Sequence, residues 1–153
     1  MINRENILED SFNQFQTTQD LDLKKELKIF FVDEVAQDVG GVYREWYSSL
    51  IDAFVNPSEG LLYEICDKSF GKNSFFIPTF KEFNRKDSSL DYYEFMGKVL
   101  AKGIIDRIII KINFNVVLLK HILKRKIDLE DLRYIDYEVN LTYRRFTHLL
   151  NFF

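Results

Sequence analysis

A single cysteine, Cys66, stands in 153 residues. One thiol cannot form a disulfide within the chain, so the fold rests on burial and hydrogen bonding, and a reducing compartment is the expected setting. Two prolines and six glycines are too few for a linker-rich or repetitive chain. No run reaches eighteen apolar residues, so a membrane-spanning helix is not expected. The longest candidate, Ile104 to Ile112, is broken by Asp106, Arg107 and Lys111. The opening Met1-Ile2-Asn3-Arg4-Glu5 has charges where a secretory signal needs an apolar run. These absences lead to the expectation of an intracellular protein of the cytoplasm and/or nucleus, with no membrane partner.

Chemistry is sparse as well. The two histidines, His121 and His148, are 27 positions apart and have no cysteine or histidine at ligand spacing, so each reads as a partly exposed helical residue and no metal is expected. Gly40-Gly41 lacks the spacing and the Lys-Ser/Thr of a phosphate loop, and no cofactor is implied. Glu5 with Glu9, and Glu130 with Asp131, read as solvated helix-end charges rather than acid–base pairs. Cys66 sits between apolar Ile65 and anionic Asp67, and both neighbours oppose thiolate formation. It reads as a small, half-buried apolar residue.

What the chain does have is apolar mass. Hydrophobic residues make up 46% against 29% charged, enough for one domain with a real core. Fifteen Phe and eight Tyr favour aromatic packing. The net charge of −3 gives no global nucleic-acid signal. Charge is uneven, however. From Lys98 to Lys126 there are eight basic residues and one acid, Asp106. The plain reading is a helix pair with a solvated basic face. The sharper one is a surface for an anionic partner, and nucleic acid is disfavoured because no nucleic-acid motif accompanies the patch.

In chain order, residues 4–16 have the spacing of a helix, with Ile7, Leu8, Phe12 and Phe15 inward. Leu21, Leu23 and Leu27 suggest one short helical turn, and Ile29 to Val32 a buried strand. Gly40-Gly41 predicts a sharp reversal. A helix follows from about Val42 to Val55, with Trp46, Ser49/Leu50 and Ala53/Phe54 as its stripe, widened by Tyr43, Tyr47 and Ile51. Asn56-Pro57-Ser58 stops it. Leu61 to Ile65 is a strand or a helix end. Asp67 to Asn73 reads as a loop carrying Gly71, and Phe75 to Ile77 as a strand closed by Pro78. Lys81 to Ser89 reads as a polar surface connection. Ser88 with Asp91 predicts a capped helix over Leu90 to Asp106, with Tyr93, Met96/Gly97, Leu100 and Ile104 on one face. Gly97, Ala101 and Gly103 would admit a close backbone. Ile108 to Ile112 is strand-like or an extended link. Phe114 to Leu123 predicts a helix with Val117, Leu118 and Ile122 inward and basic residues at its end. Asp128 to Leu132 opens the last segment, where Asp136 to Phe153 has helical spacing at Val139, Tyr143, Phe146 and Leu150. The class is α+β, mainly α-helical.

The wording of several stretches resembles one family. They are Arg4 with Glu9-Asp10-Ser11-Phe12, then Leu27 to Glu34, then Asp38-Val39-Gly40-Gly41-Val42-Tyr43-Arg44-Glu45-Trp46, and Phe54-Val55-Asn56-Pro57 with Gly60-Leu61-Leu62. Tyr93 to Lys102, Leu119 to Leu123, and Asp128 to Leu132 leading to Asp136 follow in order. On these residues the chain resembles the first part of a HECT domain, the catalytic domain of one class of E3 ubiquitin ligases. The resemblance implies the large subdomain of an N-lobe, truncated, with few short strands. It implies ubiquitin-charged E2, ubiquitin and protein substrates as partners of a complete domain. It also implies transfer through a cysteine thioester, which suits a good nucleophile and leaving group. Cys66 does not match that cysteine, so residues 1–153 are expected to be a partial domain without E2-binding subdomain or catalytic C-lobe, and no catalytic residue is carried over. The alternative is a non-catalytic, HECT-derived interaction module. Asp38, Gly40, Gly41, Arg44, Glu45 and Trp46 are expected as scaffold: the glycines making the turn, Arg44 and Glu45 pairing with the acidic loop, Trp46 in the core. Some members bind ubiquitin noncovalently through aromatic residues near Leu62 and Tyr63, which marks these two as a ubiquitin-contact surface.

Overall fold

The amphipathic pattern at the N-terminus folds as a 3-10 turn, Arg4–Asn6, leading into helix α1, Ile7–Thr17. A computed structural model describes residues 1–17, 23–34, 39–59, 61–66, 74–79 and 89–150. Expectations for Leu21, the 67–73 loop, the 81–88 connection, the Ser88 cap and residues 151–153 lie outside them. The chain divides into two compact units, residues 1–62 with 79–111, and residues 63–78 with 112–153.

The first unit is built on α1, α2 (Val39–Val55) and α3 (Ser89–Ile105). The double glycine does not reverse the chain. Gly40 and Gly41 lie in the first turn of α2, which starts three residues earlier than the spacing suggests. Glycine costs about 1 kcal/mol relative to alanine in a helix interior. Burial further along α2 offsets that, because Trp46, Tyr47, Leu50, Ile51 and Phe54 are all buried, each contributing about 1.5–3 kcal/mol. The helix ends at Val55 as expected. Asn56 then folds over Pro57 in a tight turn, accepting from the Ser58 amide at 3.1 Å.

Aromatic rings join the three helices. Phe12 stacks on Tyr92 with ring centres 4.0 Å apart. Phe95 meets Phe12, Phe15 and Phe54 edge-on. This cluster sets the orientation of α3. Its buried face is Tyr92, Phe95, Met96, Val99 and Lys102, rotated by about one residue from the predicted stripe. Ile104 is 70% exposed, and a Cβ on Gly97 would touch nothing within 4 Å. A stripe through Gly97 has no side chain to offer, whereas Tyr92 and Phe95 meet the rings of α1 and α2. The close approach expected of the small residues occurs at Gly103, where a Cβ would lie 1.9 Å from the Tyr47 hydroxyl oxygen.

Ile29 to Val32 is a half-buried segment rather than a buried strand. Phe31 forms one parallel bridge with Ile2, through Ile2 N–H to Phe30 O at 2.9 Å and Val32 N–H to Ile2 O at 3.0 Å. Ile29 and Phe31 point inward while Phe30 and Val32 are exposed. Among the described residues only Ile2 pairs with this segment, and no ladder extends. Residues 23–25 form a turn and bend without a helix. After α3, Arg107 adopts φ 57°. Its amide donates to Ile104 O and the Ile108 amide to Gly103 O, a Schellman stop.

The second unit holds a two-stranded antiparallel sheet, β1 (Leu62–Cys66) with β2 (Ser74–Pro78). Phe76 extends the pairing to Phe114. Ile112 to Asn113 continues the connector from Ile108 without becoming a strand. Helices α4 (Val116–Ile122) and α5 (Tyr137–Leu150) flank a 3-10 turn, Leu129–Tyr134. None of Val117, Leu118 and Ile122, predicted inward on α4, is buried. Helix α4 has no buried residue and Ile122 is 59% exposed. On α5, Val139 and Tyr143 are exposed while Asn140 is buried. Polar contacts organise this unit instead. Asn115 caps α4 by accepting from Val117 N–H at 2.9 Å and donates to Tyr134 O at 2.6 Å. Asp131, expected to be solvated, is buried and accepts from Lys120 Nζ at 2.6 and 2.8 Å. It also closes a capping box with Asp128.

Candidate functional site

The start of α2 gathers the residues that the sequence singles out. Trp46 is fully buried, and its indole N–H donates to Ser11 Oγ at 2.9 Å. That bond fixes α2 to α1 and satisfies the one polar atom of a ring that burial would otherwise penalise. Glu45 accepts from Arg4 Nη1 at 2.8 Å. The same guanidinium reaches Glu34 through Nη2 at 2.9 Å and through Nε, and lies over the Phe31 ring at 4.0 Å. Arg4 therefore ties the N-terminal turn, the 29–34 segment and α2 together. Hydrogen bonds donated to Glu34 first, then to Glu45, push the Arg4 pKa up, and Arg4 in turn holds the Glu34 carboxyl below its ordinary value. Glu45 thus has its partner in Arg4 rather than in the acidic loop. Arg44 makes no ion pair with a described residue. Asp38 lies outside the described residues.

Behind this face is a cluster that the sequence reading missed. Lys102, only 2% exposed, donates to Asp106 Oδ1 at 2.8 Å and to Lys25 O at 2.9 Å. The Tyr43 hydroxyl donates to Asp106 Oδ2 at 2.5 Å. Burial pushes the Asp106 carboxyl up, but the hydrogen bonds from Lys102 and Tyr43 outweigh it and leave the pKa lowered. Burial and then the bond to Asp106 push the Tyr43 phenol up. Burial and then the Asp106 charge raise Tyr47 to about 12. The lysine, carboxylate and phenol satisfy one another and tie α2, the end of α3 and the backbone at Lys25 together. Its signal in the sequence was the i,i+4 spacing of Lys102 and Asp106.

The remaining candidates are dispersed. On β1, Leu62 is 4% exposed and Tyr63 is 60% exposed. Cys66 closes that strand. His121 is exposed near the end of α4, and Glu5 and Glu9 are exposed. Among the described residues no three His, Cys, Asp or Glu side chains form a group that could hold a metal. Among them also, no helix is long and apolar enough to cross a membrane.

Comparison with known proteins places this scaffold. Residues 48–152 match the family model described as HECT-domain (ubiquitin-transferase). The chain is 31% identical over 135 residues to E3 ubiquitin-protein ligase UPL2 of Arabidopsis thaliana, covering 88% of this chain and 4% of that protein. It is 30% identical over 133 residues to probable E3 ubiquitin-protein ligase HERC4 of Rattus norvegicus, covering 87% and 12%. To E3 ubiquitin-protein ligase HUWE1 of Mus musculus it is 28% identical over 137 residues, covering 89% and 3%. The chain thus spans 3% to 12% of the length of these relatives.

Proposed function

The chain belongs to the HECT-domain (ubiquitin-transferase) family, and on that premise we propose that residues 1–153 serve as N-lobe scaffold in ubiquitin transfer rather than as the transferring centre. In the reaction a ligase thiolate attacks the E2–ubiquitin thioester and releases the E2 thiolate. A substrate lysine amine then attacks the new thioester, forms the isopeptide bond and frees the thiolate. The observation that carries the proposal is the composition of the α2 cluster. Arg4, Glu45, Ser11, Trp46, Lys102 and Asp106 are engaged with one another or with neighbouring segments. Tyr43 and Lys102 there are both tied to Asp106 rather than open to a substrate. Cys66 is the only thiol, and its sequence neighbours Ile65 and Asp67 oppose ionisation.

Ubiquitin-charged E2, ubiquitin and substrates are then partners of the longer assembly. Tyr63 supports a noncovalent ubiquitin contact because it is an exposed aromatic on β1, while Leu62 supports it only by holding the strand. The test is a thioester assay with charged E2, resolved with and without reductant. The expected result is no reducible ubiquitin adduct on this chain, unchanged in Cys66→Ala. A reducible adduct that disappears in Cys66→Ala would overturn the proposal.

A further inference from the structure

Three cations of the first unit have no anion to pair with among the described residues. Arg44 on α2, Arg107 at the α3 stop and Lys111 on the following connector line one pocket of about 370 Å³, with Tyr47, Ser48, Ile51, Asp106, Ile108 and Ile109. Asp106 is the sole carboxylate in that lining, and both its oxygens are engaged by Lys102 and Tyr43. Among the described residues none supplies a carboxylate to Arg44, Arg107 or Lys111. The pocket therefore carries uncompensated positive charge beside an aliphatic floor of Ile51, Ile108 and Ile109, of which Ile109 is among the most exposed apolar residues of the chain.

The backbone beside it is also uncommitted. Ile108 N–H is used in the helix stop, but among the described residues no hydrogen bond involves the main chain of Ile109, Ile110 or Lys111. A β-branched run with free amide and carbonyl groups is a template for an added strand. Each property narrows the ligand. A small inorganic anion would use the cations and leave the aliphatic floor bare. A nucleic acid would want exposed rings for its bases, and the one aromatic in the lining, Tyr47, is buried. An extended peptide with carboxylates flanking an aliphatic side chain uses cations, floor and backbone together.

We propose that this pocket binds an acidic, aliphatic peptide segment that pairs along Ile109–Lys111, with Arg44, Arg107 and Lys111 reading its carboxylates. The proposal stands whether or not the scaffold role is correct.

The test is fluorescence anisotropy of the 153-residue chain with a labelled peptide alternating Glu and Leu. Arg44→Glu and Lys111→Glu should each weaken binding about tenfold or more, since each reverses a charge at the site. Lys126→Glu, an exposed charge reversal outside the pocket, should stay within about twofold. Replacing each Leu of the peptide by Ser, or methylating its backbone amides, should each also weaken it about tenfold. Circular dichroism of every variant checks that the fold is kept. Equal losses in Arg44→Glu and Lys126→Glu, full affinity for the Ser peptide or the methylated peptide, or no binding by the unaltered chain would each overturn the site.

Discussion

In the first unit Trp46, Leu50, Phe54 and Val99 are fully buried, whereas in the second the best-buried side chains include Asn115, Asp131 and Asn140. Among the described residues of the second unit only Ile77 and Ile112 join the buried apolar set. Leu119, Ile122, Leu123, Val139 and Tyr143 all keep large exposed areas. The two units thus use different sources of stability. The first gains from apolar area removed from water and from ring contacts. The second gains from caps and a charge-assisted pair, each of which returns less per contact. Helical spacing of apolar residues is necessary for a buried face but does not create one; a partner surface must be there to receive it.

The comparison can be broken at several points. The largest effect is expected at its centre. Trp46→Ala removes a fully buried ring and strands the Ser11 hydroxyl, and should cost about 3–5 kcal/mol in denaturant unfolding. A loss under about 1 kcal/mol would mean the aromatic cluster is not what stabilises the first unit. Next comes a pair on one helix. Gly103→Ala drives a methyl into the Tyr47 hydroxyl and should destabilise by about 1–3 kcal/mol. Gly97→Ala meets open space and should stabilise by about 0.5–1 kcal/mol. Equal effects would contradict the rotated face of α3.

Solution pH separates the units more gently. Tyr47 is raised from 10.0 to about 12 and Tyr43 is raised as well. Their folded forms hold protons that the unfolded chain releases, so this stability is complete below pH 10 and is lost as pH climbs towards 12. Both tyrosines belong to the first unit. Asp106 and Asp131 are lowered from 3.8, so their contribution is present above that value and is lost as pH falls below it. Those two carboxylates sit one in each unit. Circular dichroism melts should therefore show an alkaline decline that Tyr47→Phe reduces, and an acid decline that it leaves alone. An alkaline decline unchanged in Tyr47→Phe would remove Tyr47 from the account.

Much of the first unit was legible from residue order. The α2 stripe repeats over four turns and ends on Asn56-Pro57, so periodicity and a stop agreed. In the second unit, Phe75 to Ile77 read as a strand because a short apolar run meets Pro78. The α3 face was misjudged because Lys102 counts against burial in any apolar pattern, although its charge is met by Asp106 and Lys25. The double glycine suggested a reversal because its freedom is visible in sequence, while the helical packing that overrides it is not. The Ser11 to Trp46 bond joins positions 35 apart, and no local signal marks it. Lys120 and Asp131 likewise meet only once the 3-10 turn has formed. In the second unit the stripe of α4 was read as inward, since spacing alone cannot tell an exposed stripe from a buried one.

Native-state hydrogen exchange tests the contrast between the units most directly, because it assigns an opening free energy to each segment. The account predicts that amides of α2 around Leu50 to Phe54, and of α3 around Phe95 to Val99, exchange only through the slowest opening. Those of α4 and α5 should open at a free energy lower by about 2 kcal/mol or more. Uniform protection across all four helices would contradict it.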